Sequence, residues 1–218
     1  MSVYDIILFD LDGTLTEPKK GITRSFQYAL AGMGIIEEDT ELLQSFIGPP
    51  LKSTFLHHYK MEEEEAMEAV RKYREYFSSK GMYENEVYKG VEDMLEKLYL
   101  KKRRLLVATS KATVYAEKIL EHFGLRKYFE HVVGSNFDGS RAEKFEIIRD
   151  AMLLVRPGPT DKPLMVGDRK HDIIGAQRNF IDTAAVTYGY GSIGELQEAR
   201  AMKIFNSVAE LAVFLGGY

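Results

Sequence analysis

One stretch near the start of the chain constrains the fold more than any other. Residues 6–9 form an apolar run that stops abruptly at Asp10, and Asp12 and Gly13 follow directly. Because aspartate disfavours strand interiors, we expect a buried strand over residues 4–10 that ends at Asp10. Extended backbone places residues i and i+2 on the same side, so Asp10 and Asp12 can point into one pocket. Gly13 allows a sharp turn and a close approach to a ligand.

This D-x-D-G pattern supports two interpretations. Asp and Gly dominate turns, so an isolated pattern of this kind is also typical of an Asp-rich turn after a buried strand. Alternatively, it marks the carboxyl end of a parallel strand, where open α/β sheets bind ligands. The choice depends on whether other parts of the chain supply partners.

Bulk properties exclude several classes of protein. The formal net charge of -4 gives no global basic field for nucleic acid or an anionic membrane. The absence of cysteine excludes disulfides, thiolate metal sites and cysteine nucleophiles. We see no signal peptide and no apolar run long enough to span a membrane, so we expect a cytoplasmic protein. The sequence contains no indication of oligomeric state.

The chain changes character after the first strand. Apolar positions keep helical spacing with no convincing two-residue period, and a Gly-Pro-Pro turn at 48–50 must interrupt the helices. This pattern predicts an all-helical insertion, a cap domain at residues 16–87. Its expected helices are 22–33, 40–46, 51–59 and 62–77.

From Gly90 onward, helical and strand patterns alternate. Repeated βα units predict an α/β fold, a parallel Rossmann-like sheet formed by residues 1–15 and 88–218. Right-handed crossovers place the carboxyl ends of all its strands on one rim, and the insertion would lie over that rim as a lid. The expected strands are 104–109, 131–134, 162–167 and 183–186, and the expected helices are 91–98, 112–123, 142–155, 172–178 and 208–215.

Two polar groups should meet the aspartates at this rim. Thr109 and Ser110 follow an apolar strand, where a hydroxyl and the next backbone amide can donate to an anionic oxygen, although such residues are also ordinary helix caps. Lys144 begins a predicted helix, where the helix dipole disfavours a cation. It is either a surface lysine or a cation held beside an anionic substrate.

A second pair of carboxylates follows another strand. The apolar run before Gly167 stops at Asp168, and Asp172 lies one helical turn further on. Asp172 alone is also typical of a helix cap. Carboxylates from neighbouring strand ends, about 3–6 Å apart, repel and need a cation or a proton between them. Oxygen ligands favour a hard cation such as Mg²⁺.

In this order, the blocks resemble a known family. The chain is similar to phosphatases of the haloacid dehalogenase superfamily that carry a helical cap after the first strand, close to the phosphoglycolate phosphatase-like and 5′-nucleotidase-like group. The similarity extends over essentially the whole chain and includes three further blocks, residues 21–25, 46–51 and 187–191.

This resemblance implies roles for the matching residues. Asp10 would be the nucleophile that forms an aspartyl-phosphate, and Asp12 would protonate the leaving oxygen and then activate water. Thr109 and the following amide of Ser110 would hold the phosphoryl group beside Gly13. Lys144 would stabilise the charges of Asp10 and the phosphate.

The resemblance also implies a metal site. Asp168 would bind Mg²⁺ together with the Asp10 side chain and the backbone carbonyl of Asp12, and Asp172 would orient these ligands. Both steps of such chemistry use recognised strategies, a carboxylate nucleophile and a carboxylate acid–base.

We therefore expect a Mg²⁺-dependent phosphomonoesterase that acts on a small phosphorylated metabolite, phosphoglycolate-like, with no nucleic acid or membrane partner. The acid Asp12 favours phosphate ester hydrolysis over carbon–halogen cleavage. Arg24, Gly48 and Pro49 of the insertion are the candidate substrate residues. Three alternatives stay open: a 5′-nucleotidase or another phosphatase acting on phosphotyrosine or pyrophosphate, a sugar phosphomutase, and a non-catalytic binding or regulatory protein.

Overall fold

The chain folds around a parallel six-stranded sheet in the computed structural model, which describes residues 4–216. The sheet has the strand order β5-β4-β1-β6-β7-β8, and two further short strands, β2 and β3, pair separately. In chain order, the strands are β1 (Ile6–Phe9), β2 (Thr16–Glu17), β3 (Glu86–Val87), β4 (Arg104–Ala112), β5 (His131–Ser135), β6 (Pro163–Gly167), β7 (Asp182–Val186) and β8 (Lys203–Phe205).

The helices fall into two groups that follow the division of the chain into two compact units. We call residues up to 17 and from 87 onward the core unit, and residues 18–86 the insert unit. The helices are α1 (Lys19–Gly32), α2 (Thr40–Ser45), α3 (Leu51–His57) and α4 (Glu63–Ser79) in the insert unit, and α5 (Val91–Leu100), α6 (Thr113–His122), α7 (Lys144–Val155), α8 (Lys170–Arg178), α9 (Ile193–Glu198) and α10 (Val208–Leu215) in the core unit.

Strand β1 lies near the middle of the large sheet because both of its faces are apolar. All four of its residues are fully buried, and β1 pairs in parallel with β4 on one side and β6 on the other. Ile6 and Leu8 join a hydrophobic cluster that includes Ile147 and Ile148 of α7. A strand covered on both faces has a continuous apolar sequence, which is why the run before Asp10 shows no alternation.

The insert unit is held together by aromatic side chains. Phe26 of α1 is 1% exposed and lies between Phe55 of α3 and Tyr73 of α4, with ring centroids 5.5 and 5.1 Å away. Helix α2 begins where the Asp39 carboxylate accepts hydrogen bonds from the backbone N–H groups of Glu41 and Leu42.

The parallel sheet with its surrounding helices confirms the predicted α/β fold class. The two compact units divide at 17/18 and 86/87. The assignment of residues 16–87 as a cap domain stays a prediction. The sequence patterns missed α9 and β8, since both are short and β8 is only partly buried. Strand β4 also extends past the expected end at Thr109 to Ala112. Among residues 4–216, no helix has the length and hydropathy of a membrane span.

Candidate active site

The D-x-D stretch leaves β1 at the carboxyl edge of the sheet. The backbone N–H of Asp10 donates to Val166 of β6 at 2.9 Å, so Asp10 is still held by the neighbouring strand. Gly13 then adopts a φ of +83°, and its N–H donates to Thr16 at 2.8 Å, closing a tight turn. Asp10 and Asp12 are 4% and 9% exposed. The turn therefore keeps two carboxylates buried at the end of the central strand.

Three buried aspartates converge at this edge. Asp10, Asp168 and Asp172 each have a carboxylate oxygen within 4.8 Å of one another. Burial raises the pKa of Asp168 well above its ordinary value, and the charges of Asp172 and Asp10 raise it further. Burial also raises the pKa of Asp172, to about 6, although Lys144 opposes the shift. Three carboxylates this close together favour a bound cation.

Lys144 links two of these carboxylates. As the first residue of α7, it points its Nζ atom to within 2.9 Å of Asp10 Oδ1 and 2.7 Å of Asp172 Oδ1. The same ammonium group donates to the backbone carbonyl of Ala108 at 3.0 Å. Burial lowers the pKa of Lys144, but the charges of Asp10 and Asp172 outweigh burial and raise it above its ordinary value. Lys144 is therefore a buried cation of the cluster and not a surface residue.

A second lysine, which the sequence interpretation did not single out, contacts Asp12. The Nζ atom of Lys111 lies 2.8 Å from Asp12 Oδ2, with the two side chains 8% and 11% exposed. Burial raises the pKa of Asp12, while the charge of Lys111 opposes that shift. The only signal in the sequence was a lysine two residues beyond Thr109, and no spacing rule marks such a position as part of a site.

Thr109 lies within β4 and not at its end. It is 2% exposed, and its Oγ1 atom accepts a hydrogen bond from the backbone N–H of Lys111 at 3.3 Å. That bond leaves the hydroxyl hydrogen of Thr109 for a different acceptor. Ser110, the next residue along the strand, is half-buried.

The side chain of Thr14 and the backbone of Tyr190 hold the carboxylate of Asp168. The Thr14 hydroxyl donates to its Oδ1 atom at 3.3 Å, and the backbone N–H of Tyr190 donates to its Oδ2 atom at 2.8 Å. Tyr190 in turn donates its own hydroxyl to Glu17 at 2.6 Å. The Tyr188 hydroxyl donates to the carbonyl of Thr14 at 3.1 Å. Tyr188 and Tyr190 therefore brace this edge of the core unit.

The donor set fits a divalent cation. The site contains four buried carboxyl groups and the ammonium groups of two lysines, so with all four acids ionised the negative charges exceed the positive ones by two. All of the candidate ligand atoms are oxygens, which suits a hard cation such as Mg²⁺.

The candidate substrate residues lie in the insert unit. Arg24 is exposed and forms an ion pair with Glu84, which also accepts a hydrogen bond from the Tyr76 hydroxyl at 3.3 Å. Gly48 and Pro49 lie in the partly buried turn between α2 and α3. A role for these three residues in substrate binding stays a prediction.

Comparison with known proteins shows the family to which the chain belongs. The haloacid dehalogenase-like hydrolase family matches residues 7–186. The chain is 48% identical over 195 residues to a 5′-nucleotidase of Pseudomonas aeruginosa. This match covers 89% of this chain and 87% of that protein. It is 40% identical over 186 residues to the tyrosine-protein kinase PtkA of Mycobacterium tuberculosis. This match covers 85% of this chain and 63% of that protein. The crystal structure of a predicted phosphatase from Clostridium acetobutylicum superimposes with a TM-score of 0.94, at 46% identity and with complete coverage of both chains.

Proposed function

The chain is a phosphatase of the haloacid dehalogenase-like hydrolase family, and we propose that it hydrolyses monoesters of small phosphorylated metabolites, with Mg²⁺ and through a phosphorylated Asp10. One observation supports this mechanism above the others. Asp10 and Asp12 lie two residues apart, yet each carboxylate is paired with a different lysine. Different environments are what allow two neighbouring carboxyl groups to do different work, one as a nucleophile and the other as an acid.

In the first step, a carboxylate oxygen of Asp10 attacks phosphorus. The bond between phosphorus and the ester oxygen breaks, and Asp12 transfers its proton to that oxygen, which leaves as an alcohol. The ion pair with Lys144 orients the Asp10 side chain before the attack. The raised pKa of Asp12, a consequence of its burial, favours the protonated form that this step requires.

In the second step, the carboxylate of Asp12 takes a proton from water as the water oxygen attacks the phosphoryl group. The bond between phosphorus and Asp10 breaks, phosphate leaves, and Asp10 is again a carboxylate. Asp12 ends the cycle protonated, so protons and charges balance over the two steps. Throughout, the Thr109 hydroxyl and the Lys144 ammonium would bind phosphoryl oxygens, which is supported by their burial beside Asp10 and Asp12.

Asp10, Asp168 and the backbone carbonyl of Asp12 would hold Mg²⁺, with Asp172 alongside. The ion supplies positive charge that offsets the negative charge of the phosphate and of the aspartates. The buried carboxylate cluster, with its excess of negative charge, supports this assignment.

The substrate class is proposed from the relatives. The 48% identity to a protein named 5′-nucleotidase makes nucleoside 5′-monophosphates the first class to test. The phosphoglycolate-like substrate expected from the sequence stays a prediction. The relative named tyrosine-protein kinase suggests a different acceptor, because a phosphorylated aspartate can transfer its phosphoryl group to a tyrosine hydroxyl as well as to water.

The test is phosphate release by the purified protein with Mg²⁺ from nucleoside 5′-monophosphates, phosphoglycolate, pyrophosphate and phosphotyrosine. Asp10→Asn should abolish release, and EDTA should abolish it in the unchanged protein. Asp5→Asn is the matched control, since Asp5 lies just before β1, at its opposite end, and is partly exposed. It should retain turnover.

The outcomes separate the alternatives. Turnover that survives both Asp10→Asn and EDTA would contradict the mechanism. Transfer of phosphate between sugar hydroxyls without release would identify a phosphomutase, and transfer to a tyrosine-containing peptide would identify a kinase-like transferase. Binding of Mg²⁺ with beryllium fluoride in the absence of any turnover would point to a binding or regulatory protein.

A further inference from the structure

We propose that Lys111 is a positioning residue that holds Asp12 by one carboxylate oxygen and leaves the other oxygen to exchange the proton with the leaving group. The inference rests on the proposed function and assigns a role to a residue that the family resemblance left without one. Its basis is the geometry of Asp12 and the path of the backbone that delivers Lys111.

The two oxygens of Asp12 have different surroundings. Oδ2 lies 2.8 Å from the ammonium group of Lys111. Oδ1 is buried and accepts no hydrogen bond from any residue between 4 and 216. An unpaired buried carboxylate oxygen is costly unless a partner arrives during the reaction. The ester oxygen of a bound substrate, or the attacking water, is such a partner.

The backbone around Lys111 is constrained by a hydrogen bond, by a closely approaching neighbouring strand and by an irregular register. Its N–H donates to Thr109 Oγ1, which ties the lysine to the residue proposed to bind the phosphoryl group. Its carbonyl is approached by Gly134 of β5, where an added Cβ atom would lie only 2.2 Å away. The pairing of β4 with β5 is irregular between Ala108 and Ala112, and this irregularity contains both Thr109 and Lys111. Bulges of this kind redirect side chains beside active sites.

Stability alone does not account for this ion pair. Bringing two charges out of water costs free energy that their attraction often fails to offset, so a buried pair is weak evidence for a structural role. The arrangement instead separates the two acids: Lys144 contacts Asp10, and Lys111 contacts Asp12. Each carboxylate is then held in its own orientation before substrate binds.

In the first step, the proton moves from Oδ1 of Asp12 to the ester oxygen as the phosphorus–oxygen bond breaks. In the second, Oδ1 takes a proton from water. Lys111 takes no part in the proton transfer and acts only by holding Oδ2. A misplaced acid should therefore slow the departure of a leaving group that needs protonation and should spare one that does not.

The experiment compares Lys111→Met with Lys111→Arg and with the matched surface control Lys118→Met, whose lysine is exposed on α6. The quantity measured is kcat/KM with Mg²⁺, because it includes the step in which the leaving group departs. A nucleoside 5′-monophosphate has a poor alkoxide leaving group, and p-nitrophenyl phosphate has a good one. We expect Lys111→Met to lower kcat/KM about 100-fold for the nucleotide and less than about threefold for the aryl ester. Lys111→Arg should recover part of the loss, and Lys118→Met should change neither value.

Equal losses for the two esters would overturn the inference, since a structural lesion or a lost contact with phosphate affects both alike. An unchanged kcat/KM for both esters in Lys111→Met would also overturn it. If Lys111→Met alone does not fold, the double variant that combines Lys111→Met with Asp12→Asn, and so removes both charges, is compared with Asp12→Asn. The inference requires equal kcat/KM values of these two proteins for the aryl ester. A further loss in the double variant would overturn it. Failure of the unchanged protein to hydrolyse any ester would instead refute the proposed function, and this inference with it.

Discussion

The ammonium group of Lys144 lies 2.9 Å from Oδ1 of Asp10, although one residue begins helix α7 and the other follows strand β1. The same group lies 2.7 Å from Asp172 and donates to the carbonyl of Ala108. Several partners with fixed directions leave the lysine little freedom. Under the proposed mechanism, its charge would lie beside the phosphoryl group before negative charge develops there, which is the condition for electrostatic catalysis.

Replacing Lys144 by methionine should destabilise the metal-free protein by about 3–5 kcal/mol, because the buried carboxylates lose their cation. Mg²⁺ should recover more stability in this variant than in the unchanged protein, since it meets a more negative site. The free energy of unfolding by urea, with EDTA or with Mg²⁺, measures both effects. Lys170→Met is the matched control, because Lys170 is also the first residue of its helix but is exposed. An equal gain from Mg²⁺ in all three proteins would contradict the prediction.

Much of the fold could be predicted from the sequence because the strongest patterns belong to its most buried elements. Strand β1 is covered on both faces and therefore shows an uninterrupted apolar run. Helix α9 and strand β8 could not be found in this way. Each is only a few residues long and partly exposed, so neither has a period that differs from that of a loop.

The site divides in a similar way. Asp10 and Asp168 could be brought together from the sequence, since parallel strands end on one edge. Lys144 could be placed there only as one of two alternatives. The contact between Lys111 and Asp12 could not be predicted, because it depends on an irregular register in β4 that no residue type announces. Side chains that reach a site through a bulge follow no spacing rule.

The pH dependence of stability should reveal Asp172. Burial raises its pKa from an ordinary value near 3.8 to about 6, so between these values the folded protein binds the proton that the unfolded chain has released. Stability therefore falls as the pH rises through this window. In EDTA, the stability of the unchanged protein relative to Asp172→Asn should decline from pH 4 to pH 6 and level off above it.

Thermal unfolding of both proteins across this pH range measures the effect. Saturating Mg²⁺ is the control, because a bound cation favours the carboxylate form and should reduce the decline. This account of Asp172 would be refuted if the stability of the unchanged protein relative to Asp172→Asn stayed constant, or increased, as the pH rises.

The hydroxyl of Thr109 should matter more for turnover than for folding. Thr109→Val keeps the shape of the side chain but removes the donor, so kcat/KM should fall about 100-fold, as when an enzyme loses one donor to a developing anion. The N–H of Lys111 also loses its acceptor, at a cost of about 1 kcal/mol in unfolding free energy. Thr109→Ser keeps the hydroxyl and should retain most of the activity. Equal kcat/KM values for the two variants would show that the hydroxyl does not contact the substrate.

Gly13 should tolerate no side chain, for two separable reasons. Its φ of +83° disfavours any residue with a Cβ atom, at a cost of about 1–2 kcal/mol. In addition, a Cβ atom at Gly13 would lie 2.3 Å from Oδ2 of Asp168, which cannot move away because Thr14 and Tyr190 hold its carboxylate. Gly124 has a φ of +69° but open space around it, so Gly124→Ala carries the first cost without the second.

Gly13→Ala should therefore lower the unfolding free energy by more than Gly124→Ala does, and it alone should weaken Mg²⁺ binding. Calorimetric titration with Mg²⁺ and urea unfolding measure the two quantities on each variant. Because a shift of about 1 Å in a catalytic group can cost about 100-fold in rate, activity should fall by at least that factor in Gly13→Ala and stay near normal in Gly124→Ala. Equal Mg²⁺ affinity in both variants would show that the turn and the metal site are independent of each other.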